Sequence, residues 1–168
     1  DSLYYNDQDS TAIKYFNEAL DLFLIINDSS KIDYCNYRLG QCHWFIDNYK
    51  IAIDYFKKTL SSKDKKDDRF MEYYYYVSDS YYFLGEIDSS IYYLEKAYIS
   101  SIDLNELDWL DIIISDFVSI YTYDIVDLEK AIFYLKEGTD IFAGTEPYIA
   151  ASNFHVIGSL YYDQNKYF

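Results

Sequence analysis

Two histidines and two cysteines are the side chains of this sequence best suited to nucleophilic or metal chemistry, and their spacing favours neither. Cys35 and Cys42 sit on one predicted helix, about 10 Å apart by helical rise, too far for a disulfide with each other. A reducing compartment follows as a modest inference. Cys42 and His43 are adjacent in sequence but diverge by about 100° around a helix, and no C-x2-C spacing exists. His43 and His155 fall on different predicted helices and different stripes, so they are not expected to meet, and His43 reads as a structural residue of an inter-helix contact. The five glycines are scattered singly, which leaves no phosphate-cradling loop. Asp64-Lys65-Lys66-Asp67-Asp68 lacks the glycine and closing glutamate of a calcium loop. Among 29 Asp and Glu, no carboxylate such as Asp47, Asp79 or Asp116 is singled out for acid–base work. The sequence therefore predicts no enzymatic activity, no metal and no cofactor.

The elements that would position these residues are helices. Aromatic residues make up 21% of the 168, with 23 Tyr and 11 Phe, so the chain has ample material for a core. Five Gly and one Pro are too few for the frequent turns of a β-protein. The apolar segments also run past strand length. With 14 Lys and Arg against 29 acids the formal charge is −15, which disfavours nucleic acid and anionic membrane surfaces as partners. Seven of the cations lie between Lys50 and Arg69, interleaved with acids, and read as a solvated loop between helices. There is no membrane-length apolar run and no signal-peptide pattern. The chain begins with Asp, so it reads as a piece cut from a longer protein, and the expected location is cytoplasmic.

The stretch Tyr37–Leu60 shows the organisation most clearly. Gly40 inside an apolar helical pattern suggests that another backbone packs closely there, and Ala52, Phe56 and Thr59 share one face of the next helix. Ala12-x3-Phe16-x2-Ala19 has the same small-large-small pattern, as do Ser90, Leu94, Ala97 and then Ala131, Leu135, Gly138. Their first members are 40, 38 and 41 residues apart, which establishes a period near forty. The preceding helices repeat Leu39-Gly40-x2-His43 as Val77-Ser78-x2-Tyr81, Val118-Ser119-x2-Thr122 and Ile157-Gly158-x2-Tyr161. The Val118 copy is the weakest, with room for a one-residue insertion near Tyr121 to Tyr123. Eight helices are predicted: residues 10–26, 31–46, 49–60, 68–84, 88–99, 105–121, 127–142 and 146–163. Asp88-Ser89-Ser90 and Thr145-Glu146-Pro147 supply start signals. A further helix should begin at Tyr167-Phe168.

This pattern resembles the tetratricopeptide repeat, W-x2-L-G-x2-Y followed by A-x3-F and a closing proline. Leu39-Gly40, Ala52 and Phe56 stand at matching positions, as do Tyr81, Gly85 and Ala97. The period is longer than the usual one, the closing proline is missing and no tryptophan opens a unit. The long form resembles the variant of kinesin light chains, bacterial peptide-sensing regulators and sensor regions of bacterial signalling proteins. The resemblance implies an all-α fold: an α-solenoid of stacked antiparallel helical hairpins wound as a right-handed superhelix. Residues 1–168 would form one array of about four units, truncated at both ends.

In such a stack the first helix of each hairpin lines a concave groove. Offsets from the packing stripe place Tyr34, Tyr37, Gln41 and Trp44 there, then Glu72, Tyr75, Asp79 and Tyr82. The third helix would add Ile113, Asp116, Ile120 and Tyr123, and the fourth Ser152, His155, Ser159 and Tyr162. The set is aromatic and acidic and contains no Lys or Arg, unlike tetratricopeptide domains that grip a terminal carboxylate. The expected function is a non-catalytic protein- or peptide-interaction scaffold with a basic or amphipathic partner. The alternative is a sensory or regulatory segment of a larger signalling protein. Self-association through exposed terminal repeats is a further expectation.

Overall fold

The computed structural model describes the backbone of residues 2–61 and 69–164, and the side chains of residues 10–61 and 69–163. The acidic and basic run Asp64–Asp68 and the helix expected at Tyr167-Phe168 lie outside the described residues. Among the described residues eight α-helices follow one another and there is no strand. They are α1 (Ser2–Ile26), α2 (Ser29–Phe45), α3 (Tyr49–Leu60), α4 (Phe70–Phe83), α5 (Ile87–Leu104), α6 (Leu107–Ser119), α7 (Leu128–Phe142) and α8 (Pro147–Gln164). A π-helical turn, Ile120–Asp124, extends α6. Among the described residues no helix is long and apolar enough to cross a membrane.

The helices stop where the sequence supplies residues that tolerate a left-handed backbone. Asn27, Asp47 and Asn105 take positive φ, and Gly85 does so at +75°. After each of them the next amide donates back to a carbonyl five residues earlier: Asp28 to Phe23, Asn48 to His43, Glu86 to Tyr81 and Glu106 to Ser101. This closure satisfies carbonyls that the helix end leaves open. Asp28 and Asp127 then start the following helices by accepting from the amides of Lys31 and Lys130. Pro147 occupies the first turn of α8, as its fixed φ favours.

Val126 is the exception. It is β-branched, yet its φ is +60°, and the next amide, Asp127, reaches six residues back to Tyr121. The extra residue is housed in the π turn, where Ile125 N–H donates to Ile120 C=O across five residues. This is the place where the sequence left room for an insertion.

Two compact units divide the chain, residues 1–97 and 98–168. In the first, α2 packs on α1 and α3, and α3 packs on α4. Its core joins Tyr37, Ala52, Ile53, Phe56, Tyr73 and Val77. In the second, α7 packs on α6 and α8, around Leu110, Ile114, Phe142 and Ala150, and around Ile132, Leu135 and Ile157.

The second-helix pattern is buried at Ala52, Phe56, Thr59, at Ser90, Leu94, Ala97 and at Ala131, Leu135, Gly138, while Ala12, Phe16 and Ala19 are half-buried. What occupies the space beside Gly40 is a ring rather than a backbone: a Cβ there would stand 2.6 Å from Phe56 Cε1. Ser78, at the equivalent place, donates its hydroxyl to Ser90 C=O at 2.8 Å. The first-helix stripe is buried at Cys35, Tyr73, Ile113 and Asn153 and again at Leu39, Val77, Phe117 and Ile157. Phe117, not Val118, therefore matches Val77, and Ser119 is exposed. The register on α6 lies one residue before the expected one: the stripe runs through Phe117, and the inserted residue follows it in the π turn.

Candidate functional site

The residues expected to line a groove are divided between the two units. Those from Tyr34 to Tyr82 belong to the first unit, and Asp116, Tyr123, His155 and Tyr162 to the second.

In the first unit α2 and α4 are joined by side chains 35 residues apart. The Tyr37 hydroxyl donates to Glu72, Gln41 Nε2 donates to the Tyr37 hydroxyl at 2.6 Å and to the Tyr76 hydroxyl at 3.3 Å, and Trp44 Nε1 donates to Asp79 Oδ2 at 2.6 Å. Steps of four and three residues keep Tyr37, Gln41 and Trp44 on one face of α2, and Glu72, Tyr76 and Asp79 step likewise along α4. Arg38 Nη1 donates to Gln41 Oε1 at 2.9 Å and orients the amide. Arg69 lies over the Tyr37 ring, 5.3 Å from its centroid.

Burial raises the Tyr37 hydroxyl's pKa strongly, and the bond to Glu72 and that carboxylate's charge raise it further, so the phenol stays a donor. Burial is also the leading cause of the raised pKa of Tyr76. Tyr37 itself is only 6% exposed and belongs to the core. Tyr34 is exposed, while Gln41, Trp44, Glu72, Tyr75, Asp79 and Tyr82 are half-buried.

Tyr76, absent from the expected set, is central to this face. It stacks on Phe56 at 5.1 Å and meets Trp44 edge-on at 5.6 Å. Tyr75 packs against the Tyr76 ring. The run Tyr73 to Tyr76 carried the signal: one tyrosine per 100° sends Tyr73 into the core, Tyr76 onto α2 and Tyr75 outward beside it.

In the second unit α8 brings His155, Ser159 and Tyr162 together. With Phe154, Gly158 and Asp163 they line a surface hollow of about 360 Å³. On α6 the expected residues are displaced by the register. Ile113 and Ile120 are core residues, so their expected groove position is corrected, and Asp116 is half-buried. Tyr123 lies in the π turn, 79% exposed. Ser115 and Ser119 occupy the positions that match Tyr75 and Asp79.

What this arrangement does chemically is seen in how the molecule treats its own cations. Lys57 Nζ donates to the Tyr81 hydroxyl at 2.7 Å and lies 5.1 Å from that ring and 5.4 Å from Tyr93. Lys96 sits 4.8 Å over Tyr92, and Lys58 4.6 Å over Tyr55. Tyrosine faces bind the chain's own cations here.

No family model matches the chain, and no curated protein matches it. Solved structures do. BtubC (BKLC) from P. vanneervenii is 20% identical, with 95% of this chain and 66% of that chain covered and a TM-score of 0.69. A Rap protein, in complex with Competence and Sporulation Factor, is 16% identical, with 95% and 49% covered and a TM-score of 0.60. The chain thus spans about two thirds of the length of the one and about half of the other. At these identities the likeness shows the fold, an all-α helical repeat.

Proposed function

We propose that this chain is a non-catalytic interaction scaffold that holds a protein or peptide partner on the acidic, tyrosine-rich face of α2 and α4. The observation that carries this reading is the ladder from Tyr37–Glu72 through Gln41–Tyr76 to Trp44–Asp79. It fixes the rotamers of aromatic and acidic side chains before any partner arrives, which lowers the ordering cost of binding. The solved Rap complex with Competence and Sporulation Factor supports a binding role for a fold of this kind. A second reading is that the segment senses its partner and controls an attached output domain.

The chemistry selects a basic or amphipathic partner and disfavours nucleic acid and anionic membranes. Affinity capture with the intact protein, repeated with Tyr75→Ala and Tyr82→Ala, tests the assignment. Loss of the partner is the expected result; an unchanged partner overturns the face. An output domain adjoining the repeats in the intact protein would favour the sensory reading over the plain scaffold.

A further inference from the structure

Where α2 and α4 end, two aromatic pairs are linked through Asp79, which accepts from Trp44 and acts electrostatically on Tyr49. Trp44 meets Phe45 edge-on at 5.1 Å, and Tyr49 stacks on Phe83 at 4.9 Å with 10° between the planes. Trp44 Nε1 holds Asp79 Oδ2 at 2.6 Å, and the Tyr49 hydroxyl donates to Asp47 Oδ1 at 2.7 Å. Burial first, then Asp47 and Asp79, push the Tyr49 pKa up to about 12, so both carboxylates lie within electrostatic reach of one ring. Phe45 is 59% and Phe83 54% exposed, so both rings are open to a partner.

Other ring clusters of the first unit hold a cation of the chain itself, such as Lys57 at Tyr81 and Tyr93, and Arg69 at Tyr37 and Tyr73. Among the described residues no Lys or Arg lies over Trp44, Phe45, Tyr49 or Phe83. These ring faces are of the kind that hold cations elsewhere in this unit.

We propose that Trp44, Phe45, Tyr49 and Phe83, with Asp47 and Asp79, form a box for an arginine side chain of the partner. This rests on reading the α2 and α4 face as the binding surface, and it names the partner's anchor. Arginine is selected over lysine by shape. A planar guanidinium lies flat on a ring while donating in its own plane to a carboxylate. Lys57 is instead met by a tyrosine hydroxyl, which Phe45 and Phe83 lack.

A Trp109→Phe background leaves Trp44 as the sole tryptophan, so its fluorescence reports on the box. The probes are acetyl-Gly-Arg-Gly-amide and its Lys and Gln counterparts at 0.15 M salt. A saturable response to the Arg peptide is expected, with weaker affinity for Lys and none for Gln. Phe83→Ala should weaken the Arg peptide about three- to fivefold, with thermal unfolding unchanged because that ring is exposed. Equal responses to Arg and Gln, equal affinities for Arg and Lys, or an Arg affinity that survives Phe83→Ala and Phe45→Ala would each overturn the box. If Tyr75→Ala and Tyr82→Ala abolish partner capture while those phenylalanine variants bind normally, the box fails and the face stands. If capture ignores the tyrosines but Phe83→Ala loses the Arg response, the face fails and the box stands.

Discussion

The first helices of the two units answer the same structural demand with opposite chemistry. On α2 and α4 the stripe beside the core is bonded laterally, tyrosine to glutamate, glutamine to tyrosine and tryptophan to aspartate. On α6 the matching positions are the short Ser115 and Ser119, and the aromatic work has moved inward. Phe117 stacks on Tyr134 at 4.0 Å, and Tyr121 stacks on the same ring at 5.8 Å. The second unit is therefore organised by what lies under the stripe, the first by what lies along it. A surface ladder of this length demands an unbroken helical register across two helices, and the second unit gives that up at its π turn.

The largest expected effect opposes two glycines at equivalent positions. Gly40→Ala drives a methyl into the Phe56 ring, and equilibrium unfolding in urea should show a loss of about 1–3 kcal/mol. Gly158→Ala meets nothing within 4 Å and should leave stability level or raise it by up to about 1 kcal/mol, from helix propensity. Similar losses at both sites would break the comparison.

A gain of about 1 kcal/mol is expected for Val126→Gly in the same assay. The left-handed backbone strains a β-branched residue and not glycine, which already stands at the corresponding turn as Gly85. No gain would mean that the π turn, not Val126, carries the strain.

The smallest effect is acid sensitivity in the first unit. His43 stacks on Tyr55 at 5.6 Å, its Nδ1 is buried without a hydrogen-bond partner, and burial lowers its pKa from the usual 6.5. Folding therefore favours the neutral ring. The stability this contributes is complete above about pH 6.5 and is lost as pH falls through the folded value. Urea midpoints between pH 7 and 5 should fall for the native chain and fall less for His43→Gln; parallel declines would assign the effect to other groups.

Helix number, hairpin order and the small-large-small faces were legible in the sequence because a buried face imposes its period on residue size. Ala52, Phe56 and Thr59 are all buried for that reason. The identity of what faces them was less legible. Gly40 signals only that space is short, and a ring satisfies that as well as a backbone does. Tyr37 and Tyr75 are the same residue type in equivalent places, but one is core and the other half-buried. Its hydroxyl lets tyrosine suit either setting, so composition carries no preference. On α6 the error was one of phase. The added residue was visible in the spacing near Tyr121 to Tyr123, yet the stripe was counted from Val118, because Phe117 and Val118 are both apolar and only packing tells which one faces the core. On the face between α2 and α4, Tyr37, Gln41, Trp44, Glu72 and Asp79 were named from spacing, while Tyr76 required knowing which faces two neighbouring helices turn to each other.

The π turn between Ser119 and Ile125 has a consequence for how such a chain tolerates change in length. A residue added to a regular helix would rotate everything beyond it by about 100°, exposing half of the buried side chains downstream. Here the wider turn absorbs the addition within five residues, so Ala131 and Leu135 reach the core undisturbed. The end of a first helix is thus a buffer in which single-residue insertions are localised, and the hairpins on either side of it are released from sharing one repeat length.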